Sequence, residues 1–354
     1  MEPNEHHGIG LGNCVGWWRV AWLAIPVLLL ALAAASVPVS CDREKEIVAP
    51  TSGLVEIVIA TGAWPGSAAL FVAQEKGYFS DEGLAVSLQG FASGHLGLEA
   101  VMAGEAELAS VGETPIVSAA LNGEPVVIVA TICRIDRAIL IIAREDSGIA
   151  SADDLRSKRI GVVPGTTADF FLHIYLTTSY IKPSEVQIVE LDVDAVIDAL
   201  EAGEVDAIST WAPYTALARD SLGDNAVVLE DPGLYRMSWN IIASRELAAR
   251  APDSIERVLR AIVRANEFIR QEPDQARAIT AAYTWMDIAA LEKEWPDYYM
   301  TVMLDLSLLL YLEDQAKWMM PRTARAVMLP NFLDHIYSPG LRAVRPEAVR
   351  IVEP

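Results

Sequence analysis

Apolar runs of four to seven residues alternate along this chain with segments whose apolar positions recur every three or four residues. The first period is that of a strand buried on both faces and the second that of an amphipathic helix. The pattern predicts strands over 55–60, 85–88, 108–111 and 126–132. Helices are predicted over 66–76, 95–103 and a segment ending near 122–123. Gly77, Gly104 and Gly123 stand where a left-handed C′ residue stops a helix. A second block repeats the order, with strands over 138–143, 159–163, 186–191 and 205–209 and helices over 168–179 and 193–202. Ser151 opens a short capped turn before the strand at 159. Strands over 226–229 and 239–244 follow, and the chain then reads as helical to about residue 320, over 254–271, 273–284, 288–298 and 312–319.

Strands alternating with helices in this order predict an α/β protein. Two blocks of similar design suggest two lobes, with the chain crossing between them near 133–138 and 239–245 and the C-terminal helices returning to the first lobe. The expected divisions are 54–135 for the first part of lobe I, 136–240 for lobe II, and 241–354 for the return. Residues 41–53 form a polar tether.

Residues 1–40 read differently. From 20 to 39 the chain is uncharged and rich in Leu, Ala, Val and Ile, with Arg19 before it and Ala33, Ala34, Ala35 and Ser36 closing it. A run of about 20 such residues is an export signal or suffices to span a bilayer. Cys41 follows as a candidate lipidation site, although Pro38 stands where a lipidation motif carries Leu. Either outcome puts the body outside the cytoplasm, in the periplasm or its equivalent, held to the membrane by a lipid or an uncleaved helix.

Composition narrows the function. A net charge of −21, from 48 acidic and 27 basic residues, argues against nucleic acid, whose phosphates would be repelled. The three cysteines, Cys14, Cys41 and Cys133, have neither metal-ligand spacing nor a disulfide framework. Cys133, amid β-branched residues, reads as a small buried hydrophobe. The chain has no HExxH, CxxC, P-loop, GxGxxG or Ser-His-Asp arrangement, so neither a metal, a cofactor nor a catalytic site is predicted.

Candidate chemistry gathers where strands give way to helices, the edge at which open α/β sheets bind ligands. An exposed Trp64 there offers an aromatic wall and an N–H donor. Ser93, Gly94 and Thr114 in the first block, and Gly165, Thr166 and Thr167 in the second, offer hydroxyls and free N–H groups at helix starts. Gly165 allows close backbone approach. The positive end of the helix dipole suits such starts to anions. Trp211 adds an aromatic at another strand end. Any one of these hydroxyls alone reads as an N-cap; the recurrence after strands in both blocks points to a pocket. His95, Glu113, and the Arg134, Asp136 and Arg137 group near the crossing are weaker candidates, the last reading mainly as solvated hinge charges. His173 reads as structural.

The segments Phe71–Phe79, Ala103–Ala109, Gly123–Ala130, Asp154–Val162, Gly203–Ala207 and Trp211–Tyr214 resemble, in consistent order, the extracytoplasmic substrate-binding proteins of nitrate/sulfonate/taurine-type ABC importers. These are similar to the thiamine-precursor-binding family. The resemblance implies a monomeric two-lobed periplasmic-binding-protein type II fold with a cleft that closes on one small-molecule solute. It also implies ABC permease and ATPase subunits as partners. It carries Trp64, Ser93, Thr114, Thr166, Thr167 and Trp211 onto cleft-lining loops, for a small anionic or polar solute: a sulfonate, nitrate, bicarbonate or vitamin precursor. Two alternatives stay open, a biosynthetic enzyme on the same fold and a sensory ligand-binding domain. The cysteine cluster of the pyrimidine synthases of this fold is absent.

Overall fold

The computed structural model describes residues 53–231, 233–322 and 328–351, and the leader, Cys41 and the tether up to residue 52 lie outside them. The chain begins with β1 (Val55–Thr61), β2 (Leu84–Gly90), β3 (Leu108–Val111) and β4 (Val126–Ile135). It continues through β5 (Ile139–Arg144), β6 (Arg159–Val162), β7 (Gln187–Glu190), β8 (Ala207–Trp211) and β9 (Ala226–Leu229). It then returns with β10 (Met237–Ser244), β11 (Tyr298–Asp305) and β12 (Val349–Arg350). These strands form a seven-stranded sheet, β12-β11-β4-β10-β3-β1-β2, and a five-stranded sheet, β7-β6-β8-β5-β9.

The connections explain how the sheets face one another. In the larger sheet β1 pairs in parallel with β2 and β3, so its helices cross over the faces and its parallel strands end along one edge. In the smaller sheet β6 does the same with β7 and β8. The chain leaves the larger sheet at the end of β4 and returns at the start of β10. These two strands are antiparallel neighbours, with Ile135 opposite Met237. Two adjacent, hydrogen-bonded strands therefore lead into the two crossings.

Local sequence accounts for the elements. All but Arg134 of the ten residues of β4 are buried, because helices cover both faces, and its run of Val, Ile and Ala carries no polar face. Helix Pro252–Gln271 opens with Pro at its first turn and buries Ile255, Val258, Leu259, Ile262, Ala265 and Ile269, one stripe at helical spacing. Each such aliphatic side chain contributes about 1.5–3 kcal/mol by leaving water. Gly104 ends helix Gly94–Ala103 in the left-handed conformation at φ +75°.

The C-terminal third departs from the helical expectation. Helix Ile288–Glu294 runs into a short 3-10 turn, Trp295–Asp297, and the chain then forms β11 against β4. Pro296 stops the helix, and Tyr-Tyr-Met-Thr-Val favours a pleated, half-buried surface, with Tyr298, Val302 and Leu304 turned inward. The next helix, Leu306–Met319, starts six residues before the expected 312. Helix Tyr214–Leu222, directly after the Trp211–Pro213 segment, was not anticipated.

Candidate ligand-binding site

A cavity of about 380 Å³ opens where strand ends of the two sheets converge. The larger sheet and its helices contribute Trp64, Phe91, Ser93, Gly94, His95, Gly112, Pro115, Met237, Trp239, Thr284 and Trp285. The smaller contributes Ile139, Thr166, Thr167 and the Trp211–Tyr214 turn.

On the larger-sheet side the wall is built of locked indoles. Trp64 is buried, not exposed as expected, and meets Trp239 edge-on at 4.6 Å and Tyr298 at 5.8 Å between ring centroids. Its ring folds over Gly66, where a Cβ would lie 2.3 Å from the indole, so any other residue would displace the wall. The Trp64 Nε1 is enclosed without a hydrogen-bond partner, its polar neighbour being the Tyr298 phenol. Trp239 Nε1 donates to Ser67 Oγ at 2.9 Å, and Ser67 sits in a buried hydroxyl cluster with Thr61 and Ser110. Edge-to-face rings and a satisfied indole N–H hold both rings in one orientation.

Two helices near the cavity carry an acid in the first turn. Helix Thr167–Thr178 carries Asp169 in its first turn, and this carboxylate accepts from Gly165 N at 3.1 Å and pairs with Arg322 at 3.2 Å. Helix Glu113–Leu121 carries Glu113, fully buried, whose carboxylate accepts from Ser238 N and, at 2.9 Å, from the Tyr235 hydroxyl. Burial pushes the Glu113 carboxyl up to about 7, against the opposing pull of these hydrogen bonds. Burial, reinforced by Glu113, likewise pushes the Tyr235 phenol well up.

From Glu113 a buried polar chain reaches the cavity. Gln315 Nε2 donates to Tyr235 Oη at 3.0 Å, and Thr114 Oγ1 donates to Gln315 Oε1 at 2.6 Å. Thr114 Oγ1 also lies 3.3 Å from Thr167 Oγ1, which lines the cavity. Its one hydrogen goes to the closer Gln315 oxygen, which can only accept, and a lone pair is left facing Thr167. The close approach of the two helices needs Gly112, where a Cβ would meet Thr167 Oγ1 at 2.9 Å.

The structure gathers Trp64, Ser93, Gly94, Thr166, Thr167 and Trp211 around this one cavity. Thr114 stands behind Thr167, fully buried in the polar chain, and not on the cavity wall. Gly165 borders a second space beside Asp169, His173 and Trp318; it is there for its φ of +70°, since a Cβ on it would meet nothing within 4 Å. His95 lines the cavity and lies 3.3 Å from Glu99 on the next turn. Glu113 is engaged internally. Arg134 pairs with Asp305, Arg137 with Asp297 and Glu230, and Asp136 with Arg236, so the charges near the crossing are tied to protein partners. Cys133 is buried and free of any disulfide. His173 is half-buried against Trp318, and burial pushes its imidazole down.

Sequence reasoning missed Phe91, Pro115, Tyr214, Met237, Trp239 and Trp285 as lining residues. Phe91 and Tyr214 lie within loops that had been singled out, and the rule that strand ends carry the site would have found them. Trp239 enters on a strand returning from the other lobe, which the linear pattern does not bring near Trp64. Among the described residues no cluster of His, Cys, Asp and Glu could hold a metal ion, and no helix is long and apolar enough to cross a membrane.

A model of the family described as NMT1/THI5 like matches residues 64–276. The taurine-binding periplasmic protein of Escherichia coli K12 is 26% identical over 224 residues, which is 62% of this chain and 68% of that protein. Among solved structures, the periplasmic aliphatic sulphonate binding protein SsuA of Escherichia coli is similar at a TM-score of 0.66. It has 21% identity, with 77% of this chain and 95% of that one covered. The alkanesulfonate-binding protein SsuA of Xanthomonas axonopodis pv. citri, bound to MOPS, is similar at a TM-score of 0.69 and 19% identity, covering 81% and 99%. The fold is therefore that of the periplasmic binding proteins, as the sequence resemblance implied.

Proposed function

This chain belongs to the NMT1/THI5-like family, and we propose that it is the solute-binding component of an ABC importer, working outside the cytoplasm. The observation that carries this reading is a cavity walled by indoles from both sheets, with the chain crossing between them beside the adjacent strands β4 and β10. Small bends at these crossings would bring Thr166, Thr167 and Trp211 toward Trp64 and Trp239. A solute touching both walls favours the closed arrangement, and one touching a single wall shifts nothing. The lobes are taken as 54–135 with 241–354, and 136–240. The binding residues are Trp64, Ser93, Gly94, Thr166, Thr167 and Trp211, with Thr114 and Gly165 supporting Thr167 from behind. Permease and ATPase subunits are the partners, and Cys41 or the apolar segment before it is the membrane attachment.

The reading of a binding protein and not an enzyme rests on the names of the relatives and on the internal use of the two buried acids and bases nearest the cavity, Glu113 and Tyr235. Native mass spectrometry of the full chain tests it: a non-covalently held small molecule is expected, recovered unchanged after incubation. Spin labels on the two sheets should then approach one another when that molecule is added back. Chemical conversion of the molecule would support the enzyme alternative. Lipid attachment is tested separately by metabolic labelling with an alkyne fatty acid, which Cys41→Ala should abolish.

A further inference from the structure

We propose that the cavity takes an uncharged aryl solute carrying one hydrogen-bond donor, such as an aryl alcohol, in preference to a small oxyanion. The inference rests on the solute-binding reading and concerns the chemistry that the lining can satisfy. Four indoles, Trp64, Trp211, Trp239 and Trp285, border the space, and among the described residues no Lys, Arg, Asp or Glu lines it. Its volume of about 380 Å³ equals about a dozen waters at about 30 Å³ each, far more than a nitrate or bicarbonate fills.

Among the described residues, an anion entering this space would meet no lysine or arginine side chain. Asp169 lies in the first turn of helix Thr167–Thr178 and Glu113 in that of helix Glu113–Leu121, so these two helix starts carry a carboxyl group of the protein, while the start of helix Gly94–Ala103, at Ser93, Gly94 and His95, carries none. Two of the lining hydroxyls point the same way. Thr166 gives its hydrogen to Val163 O at 2.7 Å, and Thr284 gives its own to Thr280 O at 2.9 Å. Both therefore present only lone pairs to the cavity. They match a ligand O–H or N–H and oppose the acceptor oxygens of a sulfonate or nitrate.

Trp285 adds a lid over the mouth. It is 86% exposed and sits in the left-handed region at φ +53°, a conformation in which a bulky residue is strained. Thr284 beside it is buried and held to Thr280, so the backbone that presents the indole is fixed while the ring itself is free to cover an aryl ligand.

Calorimetry on the full chain with naphthol, taurine and nitrate tests the assignment. Naphthol is expected to bind at least about a hundredfold more tightly than either small anion, from apolar area buried between indoles. Thr166→Val should weaken naphthol by about tenfold and leave methoxynaphthalene, which has no donor, unchanged. Tighter binding of taurine or nitrate than of naphthol would overturn the aryl assignment and leave the solute-binding reading intact. Equal loss of both naphthalene ligands in Thr166→Val would overturn the donor argument. Binding of none of them, with no small molecule accompanying the purified chain, would overturn the solute-binding reading itself and the aryl assignment with it.

Discussion

The two walls of the cavity are built on different physical terms. The wall from the larger sheet is core that happens to be visible from the cavity: Trp64 and Trp239 are 5% and 8% exposed, packed on one another and on Tyr298, with Trp239 tied to a buried hydroxyl cluster. The wall from the smaller sheet is made of strand ends and helix starts. Trp211, the last residue of β8, and Tyr214, three residues on, are half-buried and meet edge-on at 5.7 Å. Beside these two rings Ile139, Thr166 and Thr167 are buried, so on this side it is the aromatic rings that keep surface for a solute to cover. A clamp needs this asymmetry, because a surface already satisfied gains nothing from closing and an unsatisfied one does.

The largest effect that would break this contrast is expected at Trp239. Trp239→Ala removes an indole from the core and should cost about 3–5 kcal/mol of stability, read as a lower midpoint in urea denaturation. A loss below about 1 kcal/mol would mean that the larger-sheet wall is not core at all.

The next effect is a pH dependence on that same side. Glu113 is held at about 7 when folded, above the ordinary 4.5, so between those values the unfolded chain releases a proton that the folded chain keeps. Stability from this group is full below about 4.5 and declines as pH rises to about 7, by an amount on the order of 3 kcal/mol. Glu113→Gln should flatten that slope, seen in the difference between the two proteins' denaturation midpoints across the range. Parallel pH profiles would contradict the buried-acid account.

Trp211→Ala probes the half-buried wall. Solute affinity should fall about tenfold to a hundredfold, while stability changes by less than in Trp239→Ala. If both substitutions cost stability equally, the two walls do not differ as described. The smallest effect is at Trp285: replacement by Gly relieves a left-handed backbone and should raise stability by up to about 1 kcal/mol while loosening the solute. Unchanged affinity in Trp285→Gly would remove the indole from the site.

This asymmetry also marks what could be read in the sequence. Helix stops at Gly77 and Gly104, the β-branched run of β4 and the helix-start loops around Ser93 and Thr166 are local signals, and the chain follows them. The partners of Asp169 and Glu113 were not legible, although both lie in the first turn of their helices, because only the fold reveals that their carboxylates accept from Gly165 N and from Ser238 N. Trp64 looked exposed since nothing near it in sequence covers it; its cover, Trp239 and Tyr298, arrives on β10 and β11. Strand β11 itself was hidden by the helix-like stretches on either side. Thr114 was read as a ligand group, and its real partner, Gln315, lies 201 residues away.

The central claim is that, among the described residues, no lysine or arginine is free to meet an anionic solute in this cavity, Arg322 being paired with Asp169 in the first turn of the helix that starts at Thr167. The most direct test is calorimetry of naphthalenesulfonate and naphthol against the wild-type chain and Asp169→Asn, which keeps the shape of the side chain and removes its charge. The account predicts that the sulfonate gains about fivefold or more in the variant, as one repelling charge disappears and Arg322 is left unneutralised, while naphthol is unaffected. A sulfonate that already outbinds naphthol in the wild type, or that weakens in Asp169→Asn, would contradict it.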